Sequence, residues 1–559
     1  MKAFAELLDR LAYEPGRNAK LSLLRAYFRA TPDPARGYAL AAMTGSLVFA
    51  QAKSGLLRAL IVQRVDPVLF ALSYDFVGDL SETIALMWPG DAAVAVPPSL
   101  EQVVEALATT RKIDLPARIA AWLDGLDETG RWALLKLVTG ALRIGVSARL
   151  AKTAVAEMGG FPADAVEEIW HGLGPPYAAL FAWVEGRGTR PQTDDPAPFR
   201  PAMLAHALDE AEMAVLVAED FSAEWKWDGI RVQAVVAGPV ARLYSRTAED
   251  ISSAFPDLMA ALAQAREDFC IDGELLVRRD GQVLAFGDLQ QRLNRKTVSA
   301  KLMAQFPAHI RAYDLLGDAG ADLRALGLIE RRARLQALVA RLANPRIDLS
   351  PLLAGMDWAG LAAARRDPAS AGAGADAGAV EGLMLKRRDS PYVPGRPKGL
   401  WYKWKRDPFN IDAVLMYAQR GHGKRSSFYS DFTFGVWAGA ELVPVGKAYF
   451  GFTDAELVLL DRFVRNNTVQ SFGPVREVAH GPEAGLVLEV AFEGLNRSTR
   501  HKSGVAMRFP RIARIRWDKP VAEADGIGVL LQMLGGGAAP PTRLNEHNPP
   551  GGPAQATQG

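Results

Sequence analysis

Cysteine is almost missing: Cys270 is the single one in 559 residues. That count excludes an intrachain disulfide framework and a structural zinc site built on two or four cysteines. The seven histidines are scattered and form no HExxH or similar cluster, so no histidine-based zinc centre takes its place. Long hydrophobic runs are missing too, and no stretch approaches the roughly 20 apolar residues needed to span a bilayer. The segment from Met1 to Arg17 mixes acids among its apolar residues and has no h-region, which argues against secretion. Neither sign of charge dominates, because Lys+Arg 65 against Asp+Glu 63 leaves a formal net charge of +2. Gly421 to Ser426 (GHGKRS) lacks the spacing of a phosphate-binding P-loop, and no strand precedes the glycines around Gly372 and Gly374 to make a dinucleotide fingerprint. These absences leave a cytoplasmic, zinc-free, globular chain, 49% hydrophobic and 23% charged, and too long for one core.

Apolar spacing divides the chain into regions of different texture. Residues 1–195 read as helical, with Phe4-Leu7-Leu8-Leu11, Leu23-Leu24-Tyr27-Phe28 and Trp132-Leu135-Val138-Leu142 at three- and four-residue intervals. Ser147 is placed to cap a helix starting at Ala148. The proline-bearing stretch Arg190–Pro201 reads as a linker. Residues 196–406 alternate short β-like runs (Arg231–Val236, Ala241–Tyr244, Phe269–Ile271, Glu274–Val277) with helical segments such as Leu328–Leu342, an α+β pattern. Within it Ala369–Ala379 is low in complexity and expected to be a mobile surface loop. Residues 407–535 are rich in strands, with one helix announced by Thr453 and Glu456, and fit a small β-barrel of the OB type. Residues 536–559, rich in glycine and proline, are expected to be disordered. No internal repeat is evident.

Chemistry concentrates in a series of short motifs. Lys226 lies between Trp225 and Trp227 in Glu224-Trp-Lys-Trp-Asp-Gly-Ile-Arg231. Desolvation and nearby cations favour the neutral, nucleophilic amine of such a lysine, whereas a surface lysine lying over aromatic rings is the bland alternative. Ser245-Arg246-Thr247 follows the end of a strand, where a guanidinium can grip a phosphate. Then come Asp272-Gly273-Glu274, Arg311-Ala312-Tyr313-Asp314, Val380-Glu381-Gly382-Leu383-Met384-Leu385-Lys386 and Trp401-Tyr402-Lys403-Trp404-Lys405. Taken singly, an acid beside a glycine is usually a turn and a tyrosine in an apolar run is usually core. Six motifs in this order are hard to reach by chance.

The ordered series resembles the covalent nucleotidyltransferases, and specifically the ATP-dependent DNA ligases, over about residues 200–520. The resemblance implies an all-α N-terminal DNA-binding domain, an α+β adenylation domain and an OB-fold β-barrel. By position, Lys226 resembles the lysine that attacks the α-phosphorus of ATP to form lysyl-AMP. Glu224 resembles the acid that accepts from the adenine amine, and Tyr313 the ring stacked on the base, with tyrosine where phenylalanine is common. Arg231, Arg246 and Arg396 resemble nucleotide-contacting arginines. Glu274 resembles the ribose-contacting and metal-assisting acid, and Glu381 the acid that helps hold Mg²⁺. Lys403 and Lys405 resemble the pair that neutralises the α-phosphate. Arg508 to Lys519 resembles the C-terminal motif that orients pyrophosphate, with Arg514, Arg516 and Lys519 as its cations and Asp518 as its orienting acid.

Two basic runs sit inside the nearly neutral total. Lys386–Arg406 carries eight basic residues and one acid, and Ser498–Lys519 seven and one. Interleaved with Trp and Phe, such runs suit a phosphate backbone, although a charge run is more often a solvated face. The turn Leu142-Arg143-Ile144-Gly145-Val146-Ser147 resembles the region with which ligase N-terminal domains hold duplex DNA, and an ordinary turn between core helices accounts for it equally well. The expectation is a monomeric ligase, similar to accessory bacterial repair ligases, that seals nicked duplex DNA using ATP and Mg²⁺. The alternatives are an RNA ligase or capping guanylyltransferase, and a catalytically silent DNA-binding scaffold.

Overall fold

The computed structural model describes residues 1–534 apart from 48, 50, 78, 90–95, 141, 193–194, 294, 296–297, 422–427, 474 and 499–500. The tail 536–559, the segment 422–426 and Arg500 of the second basic run lie outside the described residues. The chain divides into two compact units, one of residues 1–74 and 79–406, the other of residues from 407 on together with the short segment 75–78.

The first unit begins with helices whose apolar faces meet. Helix Lys2–Tyr13 buries Phe4, Leu7, Leu8 and Leu11, and helix Arg17–Ala30 buries Leu21, Leu24 and Phe28, as their three- and four-residue spacing dictates. The rings of Phe28 and Phe181 lie 5.6 Å apart across the bundle. Helix α1 (Ala148–Met158) starts where Ser147 accepts a hydrogen bond from the Leu150 amide at 3.2 Å. In the turn before it Arg143 and Gly145 have φ of 49° and 66°. The buried Lys20 ammonium donates to the carbonyls of Ile144 and Gly145 at 3.1 and 2.8 Å. That turn is therefore held in shape by a cation from the second helix.

The stretch expected to be a linker is stitched to the following domain. The Arg200 amide donates to Gln233 Oε1 at 2.9 Å, Gln233 Nε2 donates back to the Arg200 carbonyl at 2.6 Å, and Tyr244 donates to the Ala197 carbonyl at 2.9 Å.

The mixed region holds two main sheets. One contains β1 (Phe221–Trp227), with short β7 (Leu352–Leu353) on one side and β8 (Val380–Arg387) and β9 (Trp401–Lys405) on the other. The second sheet runs β3 (Val240–Ser245), β2 (Ile230–Ala237), β4 (Phe269–Arg279), β5 (Ala308–Asp318), with β6 (Ile347–Leu349) parallel to β5. Helix α2 (Leu328–Leu342) packs Leu335 and Leu338 into the core of this second sheet. The two runs expected on either side of Asp272-Gly273 are one continuous strand, β4. The glycine marks a close approach and not a turn: a Cβ at position 273 would lie 2.8 Å from Ile310 Cγ2 and 3.0 Å from the Arg311 carbonyl.

Ala369–Ala379 is not a free loop. It forms two short helical turns, Ala369–Ala373 and Gly374–Ala379. Asp376 accepts from the Val283 amide at 2.9 Å and from Arg311 at 3.0 Å, and the Ala375 carbonyl accepts from Gln282 at 2.9 Å. One acid and one carbonyl in a run of small residues suffice to anchor it, and composition alone does not reveal that.

The second unit is a curled sheet with two helices packed on it, Asp454–Asn466 and Ile527–Leu534. Long β10 (Phe409–Arg420) pairs along one edge with β11 (Tyr429–Ala438), which pairs with β12 (Glu441–Ala448). Along its other edge β10 pairs successively with β15 (Val487–Phe492) and β14 (Val475–Val478), and β14 pairs with β13 (Thr468–Phe472). A hairpin of β16 (Gly494–Arg497) and β17 (Val505–Arg508) precedes β18 (Arg511–Arg516), which returns to β15. Helix α3 (Asp454–Asn466) carries the expected capping box of Thr453 and Glu456 and buries Leu457, Leu460 and Val464. A strongly curved antiparallel sheet closed by a packed helix is the OB-type arrangement, here with seven strands in the sheet. Among the described residues no helix is long and apolar enough to cross a membrane.

Candidate active site

The alternation of β1 decides which of its residues can do chemistry. Ala223, Trp225 and Trp227 belong to a buried apolar cluster, so Ser222, Glu224 and Lys226 project from the opposite face. The two tryptophans therefore do not enclose the lysine, as adjacency in sequence implies; they build the wall beneath it. Strand β8 runs antiparallel beside β1, with Gly382 opposite Lys226, Met384 opposite Glu224 and Lys386 opposite Ser222. Gly382 has φ of 142°, and a Cβ there would strike the Trp404 carbonyl of β9, so only glycine lets the three strands close at this point.

Lys226 Nζ donates to Glu381 Oε2 in a close ion pair, with each side chain about one-fifth exposed (22% and 21%). Burial pushes the Glu381 carboxyl up, but Lys226, Asp228 and Lys405 outweigh it and hold the group below the usual range. Glu274, on β4, goes the other way. Burial pushes its carboxyl up to about 8, Asp272 and Glu381 add to the rise, and Lys226 and Arg231 oppose it.

The two glutamates repel one another and share Lys226, which suits a divalent cation between them. No group of three or more metal-binding side chains occurs among the described residues. Mg²⁺ needs no such group, because it takes one or two carboxylates plus substrate phosphates and keeps several waters. The donor set therefore fits that ion.

Glu274 makes a pH-dependent prediction. In the unfolded chain a glutamate titrates near its ordinary value, about 4.3. Between there and about 8 the folded, ligand-free protein holds a proton that the unfolded chain has lost, so stability falls as pH rises through that window. Glu274→Gln should therefore raise the melting temperature at pH 9 and change it little at pH 5. A variant that melts lower than its parent at pH 9 would contradict this assignment.

On β9, burial and the neighbouring Lys405, Arg396, Lys226 and Arg246 lower the pKa of Lys403. Arg246 and Arg396, from distant turns, thus lie near Lys403, as do Lys226 and Lys405. Such a concentration of like charge is costly without an anion and is well matched to a triphosphate.

Arg231 departs from the expected free nucleotide contact. Its guanidinium donates to Asp272 at 3.0 and 2.6 Å, to Tyr392 Oη at 2.9 Å and to the Met203 carbonyl. Tyr392 in turn donates to Asp272 at 2.7 Å. Asp272, fully buried, takes two of this arginine's five N–H groups, and Tyr392 and the Met203 carbonyl take two more. Sequence reasoning gives no role to Asp272, which stands in the Asp272-Gly273-Glu274 motif beside the glutamate that carries one, or to Tyr392, which stands in a proline- and glycine-rich loop without periodicity.

Glu224 is buried and ion-paired with Lys386, and the Lys386 ammonium lies 4.2 Å from the centroid of the Tyr313 ring. Lys386 was counted with the first basic run as a backbone-following cation. At 2% exposure it is no such thing; it packs between Glu224 and the Tyr313 ring.

In the second unit Asp412 gathers the expected cations. Lys519 Nζ donates to its carboxylate at 2.6 Å and Arg516 lies 3.4 Å away. Arg516 also pairs with Asp518 at 2.9 Å, and this pairing holds the Asp518 carboxyl down at about 2. Arg514, on the same strand, is exposed. Asp412 was not anticipated, since it lies about a hundred residues upstream in an apolar strand.

Residues 202–405 match the family model described as ATP dependent DNA ligase domain, and residues 425–519 the one described as ATP dependent DNA ligase C terminal region. A probable DNA ligase of Koribacter versatilis is 36% identical over 408 residues, covering 70% of either chain. The chain belongs to the ATP-dependent DNA ligase family. DNA ligase 1 of Korarchaeum cryptofilum is 30% identical over 437 residues, covering 77% of this chain and 76% of the relative. The solved structure called Pmar-Lig_PreS3 superposes with a TM-score of 0.58 at 14% identity, covering 92% of this chain and 99% of the other, and speaks for the fold alone. Within this ligase the first match ends at Lys405, the last residue of β9, and the second at Lys519, the cation held by Asp412. Neither of these two matches reaches the helical residues 1–201.

Proposed function

We propose that this ligase seals nicks carrying a 5′-phosphate and a 3′-hydroxyl in duplex DNA, through a lysyl-AMP intermediate on Lys226, in the repair setting that its likeness to accessory bacterial ligases implies. The observation that carries the reading is the convergence of Lys226, Glu381, Glu274 and four further cations, Lys403, Lys405, Arg246 and Arg396, on one face of two adjoining sheets. In the first step the Lys226 amine forms a bond to the α-phosphorus of ATP while the bond to the β-phosphate oxygen breaks and pyrophosphate leaves. Glu381 is the nearest acceptor for the ammonium proton. An oxygen of the DNA 5′-phosphate then displaces Lys226 from the AMP phosphorus. Last, the 3′-hydroxyl attacks the 5′-phosphorus and AMP departs.

Phosphoryl transfer of this kind asks mainly for charge neutralisation and in-line placement, and the fixed cations supply the first. Glu274 and Glu381 would hold Mg²⁺, which would supply further neutralisation of phosphate charge. Arg514, Arg516 and Lys519 supply phosphate-binding cations for the lysine-adenylation step, preset by Asp412 and Asp518. The helical region serves as the duplex-holding part, with the Lys20-braced turn at 142–147 as a backbone contact.

The test is a two-stage reaction. Incubation with α-labelled ATP and Mg²⁺ should leave label on the denatured protein, and addition of nicked duplex should release it as AMP with formation of sealed strand. Label that stays on the protein when nicked DNA is added, or transfer only to RNA ends, would replace DNA nick sealing with the RNA-ligase reading.

A further inference from the structure

The nucleotide site holds a buried guanidinium that no part of the reaction just described employs. Arg332 lies on α2 and its side chain is 13% exposed. Its Nη2 donates to the Ser350 carbonyl, which fixes the group at the β7 side of β1. Its Nη1 is fully enclosed, has no hydrogen-bond partner, and lies 4.0 Å from Glu224 Oε2. An enclosed, unmatched N–H is costly and is expected to find a partner in the functional complex. Glu224 Oε2 and Lys386 Nζ carry the same mark: each is buried without a hydrogen bond of acceptable geometry. All three line one small cavity of about 10 Å³ together with Tyr313 and Leu352, so a base enters only as the Lys386 side chain gives way.

Their order across the sheet is set by strand neighbours. Glu224 sits on β1; Lys386 reaches Oε1 from β8 on one side, and Arg332 reaches toward Oε2 from the β7 side, where Leu352 pairs with Glu224. The row therefore reads donor, acceptor, donor. Adenine presents the complement around its 6-amino donor, with the acceptor N1 on the Watson–Crick side and the acceptor N7 on the Hoogsteen side. Guanine presents a donor at N1 and an oxygen at position 6, which would face the carboxylate.

We propose that Arg332 is a specificity-determining residue that donates to one of the two ring nitrogens, N1 or N7, flanking the adenine amino group, with Lys386 donating to the other and Glu224 accepting between them. The assignment rests on the ATP-dependent lysine adenylation proposed above and adds to it the readout of the base. Base entry would replace the Lys386 contact on the Tyr313 ring by stacking, moving that ammonium to the edge. Arg332 needs no such movement, since Ser350 already holds it.

The experiment compares label transfer to the full-length protein from α-labelled ATP, 1-deaza-ATP and 7-deaza-ATP at subsaturating nucleotide. Each analogue lacks one ring acceptor, so the parent should use both about 10- to 100-fold less well than ATP, the range for a lost hydrogen bond to a charged group. Arg332→Met should use ATP less well by a similar factor and lose its further penalty against one analogue while keeping it against the other. A purely structural arginine would lower all three rates and leave both penalties at their parental size, which overturns the proposal. Because the parent alone is informative, a variant that fails to fold does not protect the idea: equal use of ATP and both analogues by the parent overturns it as well. Failure of ATP itself to label the parent would instead remove lysine adenylation, and this inference with it.

Discussion

Lys226→Ala should abolish label transfer from α-labelled ATP, a loss of at least about 10³-fold, and nick sealing should fall with it. The lysine nitrogen is the atom proposed to form the bond to phosphorus, and no nearby group replaces it. Lys403 and Lys405 lie on β9, two strands from β1, with β8 between them. The substitution leaves Glu381 without its ion-pair partner, but that carboxylate is partly hydrated and keeps Asp228 and Lys405 nearby, so the fold should survive. A nick that already carries AMP on its 5′-phosphate offers the control. Its sealing needs no lysine nucleophile, and Lys226→Ala should retain a substantial part of that activity. If Lys226→Ala still accepts label from ATP, the nucleophile lies elsewhere and the assignment of the whole site falls.

The second large effect concerns stability. Arg331 and Asp314 are both fully buried and form a two-point ion pair, Nε to Oδ1 at 2.8 Å and Nη2 to Oδ2 at 2.9 Å. Arg331 also donates to the carbonyls of Ser390, at 2.9 Å, and of Leu326, so it ties α2 to β5 and to the loop after β8. Arg331→Met would leave a buried carboxylate uncompensated, at a cost of about 3–5 kcal/mol. Replacing both partners, Arg331→Met with Asp314→Leu, should recover much of that loss, because the penalty comes from the orphaned charge. Urea unfolding followed by tryptophan fluorescence measures it, taken for the transition of the first unit alone because a two-unit chain need not unfold in one step. A shift below about 1 kcal/mol for the single variant would show that water or a neighbouring cation reaches Asp314. Since Asp314 adjoins Tyr313, the single variant should also weaken ATP use before it unfolds.

Much of this was legible in residue order, and for identifiable reasons. The spacing of Glu224 and Lys226 matches the two-residue period of a strand, so placing both on one face needed only the strand itself. The Ser147 cap and the Thr453–Glu456 box are local hydrogen-bonding devices and appear in the structure as sequence reading predicts. Motifs made of consecutive residues are likewise readable, and Lys403, Lys405, Glu381 and Glu274 come near Lys226 or one another in the structure.

Other features resisted because they join residues far apart in the chain. Asp272 has no role that sequence reading assigns, since nothing local shows that Gly273 is small to let β5 approach. Lys386 looked like one cation of a run, since burial is a property of the sheet around it. Arg332 follows Arg331 on an ordinary amphipathic helix, and only packing sends one to Asp314 and the other toward Glu224. Asp412 gathers Lys519 and Arg516 across about a hundred residues because β10 and the end of β18 meet through β15.

The single cysteine, the near-zero net charge and the six ordered motifs belong to the sequence alone. They exclude a zinc site built on several cysteines of this sequence and are the basis on which a lysine-centred nucleotide site is proposed, because covalent chemistry depends on residue type and short spacing. Tertiary structure alone decided how the charges are used. Of the first basic run, Lys386 is buried against Glu224 while Lys405 and Arg396 lie near enough to Lys403 to lower its pKa. The energy of a charge depends on its burial and its partners, and both are set by strands and helices that meet only in the folded protein.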